Sequence, residues 1–270
     1  MNAAGPSDFD ELLFWGRISG VKADYYIAMG VCYNNRFEFP EKKFYWCSQS
    51  NNMIFEPFPE LNTQHSNELD KFAGQLFQGT PAHVLIAVEK SNEEVEAEKQ
   101  AREAKLAEKT SLDSTEEEDP EALIVRVNLK EIDRLHYHVR AIENDCHIIP
   151  KGSMKLTVKH EVQRNEAFTG LDATECFTLS SYSQFRNVQD VVKKQALEAD
   201  DAIFKRDFLD EVVVKPKMVW SVQRDDTGKM AVIRNNMWKG YTAFHKVNTN
   251  EHGSVYVGDG LKNENFCFLV

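Results

Sequence analysis

The segment from Glu89 to Glu121 divides this chain more sharply than any other feature. It holds 13 Asp and Glu against 5 Lys and Arg, a net charge of −8. Through Lys109 it is rich in Glu, Lys and Ala, and Val95 and Leu106 are its only large apolar residues there. A helix of that composition has good propensity but no face to bury, so it is marginal on its own. The run Ser114 to Pro120 reads as disordered. Apolar strand-like runs flank the segment, His83 to Val88 before it and Ala122 to Val127 after it. The segment therefore reads as an insertion between two strands of one fold, not as a linker between domains. The expected organisation is a disordered lead at 1–11, a β-rich part at 12–88, the insertion at 89–121 and an α+β remainder at 122–270. Deleting residues 90–119 should barely move the thermal midpoint, because the segment buries little. A drop of more than about 4 °C in a melting curve, which corresponds to about 1 kcal/mol or more, would show that it packs.

The whole chain of 270 residues carries a net charge of −11, and outside the insertion 30 acids face 27 bases. Neither a nucleic acid nor an anionic membrane surface suits that balance, since both need a positive face. The five cysteines, Cys32, Cys47, Cys146, Cys176 and Cys267, are scattered and form no CxxC, which fits thiols used as small hydrophobes in a reducing compartment. Met1 to Glu11 has no basic residue and no apolar run, unlike a signal peptide. No stretch approaches the ~20 apolar residues that span a bilayer.

The pattern of the remainder predicts an α+β fold of antiparallel sheets with a few packed helices. Residues 12–18 and 24–31 read as a hairpin, with Phe14, Gly16 and Ile18 on one face and Trp15 and Arg17 on the other. Gly16 and Gly30 mark bulges or close backbone approach. Lys43 to Cys47 is a further short strand. Asn128 and Glu131 have capping spacing, and Leu129, Ile132, Leu135, Val139 and Ile142 form a helical stripe. Asp172 and Glu175 suggest a second helix start, and residues 187–211 read as helical around Val188, Val191, Val192, Ile203 and Phe208. Four strands after Met218, turning at Asp225–Gly228 and Asn248–Gly253, form an antiparallel meander.

Chemistry is harder to find. There is no P-loop, no Gly-x-Ser-x-Gly elbow and no EF-hand spacing. His136 and His138, two apart on a helix, point in different directions and read as surface or boundary histidines, not metal ligands. Asp24 reads as a turn acid that satisfies backbone donors. An enzyme reading would need Asp24, His136 or Cys146 to converge in a polar pocket. An adaptor reading would have the acidic insertion recruit a basic partner. No cofactor is expected. Of the tryptophans, Trp15, Trp46 and Trp220 lie in apolar strand patterns and favour the core. Trp238 sits in a turn, where it either tucks over the sheet or meets a partner.

The residues themselves add a resemblance. Phe14-Trp-Gly-Arg-Ile-Ser-Gly20 followed by Ala23-Asp-Tyr-Tyr-Ile-Ala-Met-Gly30 closely resembles the opening signature of the radial spoke head proteins of cilia and flagella. The likeness recurs at Ile148–Gly152, Phe168–Leu171, Leu179–Tyr182 with Phe185-Arg186, Trp220–Gln223, Trp238-x-Gly240 and Ser254–Gly260. These pieces stand in the family's order, with the acidic insertion as the stretch lacking a clear counterpart and with a shorter lead before the Trp-Gly motif. The resemblance implies a structural, non-catalytic role in the axoneme, helping to relay signals between the central pair and the dynein arms. It implies spoke head proteins of the 4/6 type, spoke stalk proteins and central-pair projections as partners. Trp15, Tyr25, Tyr26, Trp238 and Tyr256 are the candidate interaction residues.

Overall fold

The computed structural model describes residues 9–33, 39–60, 65–89, 126–157, 161–198, 208–212 and 218–265. The acidic insertion from residue 90 onward, the start of the strand expected at Ala122, and Ile203 lie outside the described residues.

In chain order the strands are β1 (Glu11–Ile18), β2 (Tyr25–Cys32), β3 (Glu41–Ser48) and β4 (Glu56–Pro57). After the short helix α1 (Ser66–Asp70) come β5 (Val84–Glu89), β6 (Arg126–Lys130), the long helix α2 (Glu131–Cys146), β7 (Ile148–Pro150), β8 (Met154–Leu156), β9 (Val162–Arg164) and β10 (Tyr182–Gln184). Helix α3 (Val191–Glu198) precedes the C-terminal strands β11 (Trp220–Arg224), β12 (Met230–Asn235), β13 (Tyr241–Lys246) and β14 (His252–Gly258). Eight strands make one sheet in the order β11-β12-β13-β14-β1-β2-β3-β4, and β7/β10, β5/β6 and β8/β9 are two-stranded ribbons. The fold class is α+β, as the pattern implies. Both the N-terminal hairpin and the C-terminal meander form as expected.

The pairing of β1 with β14, parallel and in register Gly16↔Tyr256, joins those two halves into a single sheet. Nothing in the local pattern signals it, because the two strands lie at opposite ends of the chain. Gly16 makes it possible: a Cβ built there would stand 2.0 Å from the Tyr256 carbonyl oxygen.

The expected alternation along β1 is overturned. The register steps from Phe14↔Ala28 to Gly16↔Ile27, so Trp15 is the extra residue of a bulge. One inserted residue reverses the parity of side chains beyond it. Phe14 consequently faces out, 55% exposed, while Trp15 and Ile18 both turn inward.

Helix α2 covers the inner face. Ile132, Leu135, Val139, Ile142 and Cys146 pack in one core with Trp15, Ile18, Tyr25, Ile27, Met29, Phe44, Trp46, Ile233 and Tyr256. The stripe is therefore as read, but its start is not. Leu129 and Asn128 belong to β6, opposite Ile86 and Ala87. The cap is made at Lys130, whose N–H donates to Asp133 Oδ2 at 2.7 Å. The strand runs on because β5 offers partners as far as Val84, opposite Lys130. The other end of this ribbon pairs Glu89 with Arg126. The chain between them thus leaves and returns at one place.

Two helix expectations are corrected. Asp172 Oδ1 does accept from the Thr174 and Glu175 N–H groups, both at 2.7 Å, but only a run of turns follows. The Cys176 carbonyl, which a helix would use, accepts the Tyr182 hydroxyl at 2.7 Å instead. Farther on, residues 187–190 and 208–211 are not helical, and in α3 between them Val191 and Val192 are exposed. Phe208 packs in a second, smaller core with Ile149, Met154, Val162, Phe185 and Leu209.

Candidate functional site

Three of the five aromatic residues singled out above, Trp15, Tyr25 and Trp238, converge on α2. Three acids of that helix each accept a hydrogen bond from one of them. Tyr25 Oη donates to Glu131 Oε1 at 2.6 Å, Trp15 Nε1 to Glu143 Oε2 at 2.8 Å, and Trp238 Nε1 to Asp145 Oδ2 at 2.9 Å. Tyr256 stacks beside Trp15, ring centroids 5.5 Å apart, and its hydroxyl accepts the Gly260 N–H. Trp15, Tyr25, Trp238 and Tyr256 are all buried. In this fold the surfaces of these four are taken by the protein's own helix and sheet. Trp238 is tucked under the turn, where Gly240 crosses so close to β14 that a Cβ would stand 2.3 Å from Val257 O. Tyr26 alone of the five is half-exposed.

Each acid has further partners. Glu131 is fully buried and accepts the backbone N–H groups of Gln78, Gly79 and Thr80 at 2.8–3.0 Å. It thereby ties the loop after Phe77 to the helix start. Burial, and then the Glu131 carboxylate, push the Tyr25 hydroxyl far above its ordinary pKa. Glu143 sits between Lys42 Nζ at 2.6 Å and His147 Nδ1. Burial alone would raise its carboxyl, but His147 and Lys42 outweigh that and hold it far below the usual carboxylate range. Lys42 also donates to the Phe185 carbonyl and lies 4.5 Å from the centroid of the Phe185 ring. Asp145 additionally faces Lys262 at 3.6 Å. The arrangement is a set of three clamps between one helix and one sheet. Of the three acids, Glu131 also borders a cavity, where four hydrogen bonds hold its carboxylate.

No family model matches the chain. Curated relatives do. It is 32% identical over 266 residues to the radial spoke head protein 9 homolog of Danio rerio, across 97% of this chain and 86% of that protein. The homologs of Bos taurus and Homo sapiens are each 31% identical over 263 residues, with the same coverage. This chain belongs to the radial spoke head protein 9 family.

In this family member the residues an enzyme would need stay apart in role. Asp24 accepts the Gly20 N–H and pairs with Arg17, both at 3.1 Å, the turn role expected of it. His136 stacks on Phe58 and is bonded through Nδ1 to the Pro59 carbonyl. Cys146 is buried in the core, and burial lifts its thiol well above its ordinary pKa. Among the described residues no group of three His, Cys, Asp or Glu side chains is arranged to hold a metal ion. No described helix is long and apolar enough to cross a membrane.

His136 and His138 are buried, not the boundary residues they were expected to be. The segment around Phe58 and the ring of Phe77 cover the helix on that side. Burial first, aided by Arg140 for His136, Arg134 for His138 and His252 for His245, holds all three imidazoles down at about 4. The unfolded chain therefore binds protons between pH 6.5 and 4 that the folded chain does not. Stability should fall with pH in that window by up to ~1.4 kcal/mol per pH unit for each histidine. Urea midpoints at pH 7 and pH 5 check this, and equal midpoints would refute it. A milder test of the clamps is Tyr25→Phe, which removes one bond to a charged acceptor. It should cost about 1.5–3 kcal/mol in the same assay.

The clamp acids were missed in the sequence, yet a signal was present. Glu131 lies four residues before Leu135 and Glu143 four after Val139, on the apolar stripe itself. An acid on such a stripe must be either frayed outward or paired inside.

Proposed function

We propose that this chain is a non-catalytic scaffold subunit of the radial spoke head in motile axonemes. The observation that carries the reading is the match to radial spoke head protein 9 homologs over 97% of the chain. The fold supports it physically. One sheet incorporates both ends of the described chain, and buried clamps fix a helix across it, so load applied at one edge passes through hydrogen-bonded strands.

The outer face of that sheet is the contact surface in this proposal. By register, Phe14, Tyr26, Phe244 and Val257 share that face, and Phe14, Phe244 and Val257 are each more than 40% exposed. Exposed apolar groups in a row suit the apolar centre of a subunit interface. In this reading a spoke head protein of the 4/6 type packs there, with spoke stalk proteins and central-pair projections meeting other surfaces. Such a subunit works in the axoneme of the cilium or flagellum, where the head passes signals from the central pair towards the dynein arms. Removing the gene from a ciliated cell should abolish spoke heads and impair beating. Intact heads in that mutant would overturn the reading.

A further inference from the structure

A cavity of about 280 Å³ opens where the turn at Lys22, the loop 75–80, β5 and the first turn of α2 meet. Its wall combines the cations Lys22 and Arg134, the apolar side chains Leu76 and Leu85, and polar side chains including Thr80 and His83. Arg134 is 1% exposed, lies with its guanidinium carbon 4.2 Å from the Phe77 ring centroid and donates Nη2 to the Gln75 carbonyl. Its Nε has no hydrogen-bond partner. A buried guanidinium with an unmade bond is costly unless another group completes it. Lys22, at the rim, forms no ion pair among the described residues. The one acid in the wall, Glu131, already accepts from Tyr25 and from three backbone N–H groups, and its charge offsets one of the two cations, which leaves the wall with a net charge of +1.

We propose that this cavity binds a glutamyl side chain presented by an acidic segment of a partner protein. The carboxylate sits between Lys22 and Arg134, and the methylene stem lies on Leu76 and Leu85. The apolar wall distinguishes this ligand from a bare oxyanion, which has no stem to place there. A small adjustment of the guanidinium brings Nε to the carboxylate and removes its unmade bond. The binding belongs to the isolated chain and does not depend on the spoke head reading.

The test uses the purified full-length chain, with a blocked tetraglutamate peptide, inorganic phosphate and acetate titrated separately and followed by calorimetry and amide NMR shifts. The expected result is binding of the peptide with shifts at Lys22, Gln75–Thr80 and Arg134, and no comparable response to phosphate. Lys22→Glu, an exposed change that leaves the fold intact, should weaken the peptide by about tenfold or more, as a like charge placed against the ligand does. Arg134→Gln should weaken it further, with circular dichroism confirming that the variant is folded. Peptide affinity unchanged by Lys22→Glu, shifts confined to another surface, or phosphate binding as tightly as the peptide would each overturn the proposal.

Discussion

Gly16→Ala is expected to destabilise the protein by about 3–5 kcal/mol and to lower its melting temperature by about 10 °C. The methyl group would fall 2.0 Å from the Tyr256 carbonyl oxygen and within 2.9 Å of its carbonyl carbon and nitrogen. These are backbone atoms of a neighbouring strand, so no side chain can swing aside. The φ of Gly16, +154°, is a second obstacle to an L-residue. Relief requires β1 and β14 to separate, and that seam is what makes one sheet of the two halves. Gly74→Ala is the control, since a Cβ there meets nothing within 4 Å. Urea unfolding of both variants distinguishes a local packing effect from a general intolerance of alanine. A Gly16→Ala protein as stable as the control would mean the parallel seam is absent.

The second large effect is at Glu143. Truncation by Glu143→Ala strands the buried Lys42 ammonium and leaves the Trp15 indole N–H without its acceptor. Breaking one side of a buried pair costs about 3–5 kcal/mol. The pair itself is not expected to be a net source of stability, because both charges had to leave water. The double variant Lys42→Met with Glu143→Leu should therefore be more stable than Glu143→Ala alone. Chemical denaturation of the three proteins checks this. A double variant no more stable than Glu143→Ala would contradict the coupling. The pair's side chains are only 12% and 8% exposed, so the loss should change little between low and moderate salt.

These two sites also show what the sequence could and could not disclose. The hairpin at Tyr25 and the meander after Trp220 are local structures, written in alternation and turn residues, and both were legible. So was the apolar stripe of α2. The β1–β14 pairing was not, because it joins residues some 240 apart, and its only trace was a glycine inside a strand. The bulge at Trp15 reversed the faces of β1 for a related reason: a single extra residue has no signature in a hydrophobic pattern. Among the candidate contact aromatics, Trp15, Tyr25 and Trp238 carry polar tips, and in this fold those tips end on acids of the protein's own helix. Motif likeness marks a residue as constrained without telling whether the constraint lies inside the subunit or between subunits. The asparagine cap misled because Asn128 and Glu131 have the right spacing for a helix start, while the strand partner at Ala87 holds Asn128 in the sheet.

The net charge gains a narrower meaning. It belongs mainly to a segment that leaves and returns at the Glu89–Arg126 end of one ribbon. The rest of the chain is close to neutral, which suits a subunit packed among others.

We propose that this chain is a rigid subunit of the radial spoke head. Cryo-electron microscopy of intact axonemes carrying the chain tests it most directly. The claim predicts density in the spoke head that accepts the eight-stranded sheet with α2 across one face, and with a neighbouring subunit against Phe14, Tyr26 and Phe244. Density for the chain confined to another part of the axoneme, or heads that are complete without it, would contradict the claim.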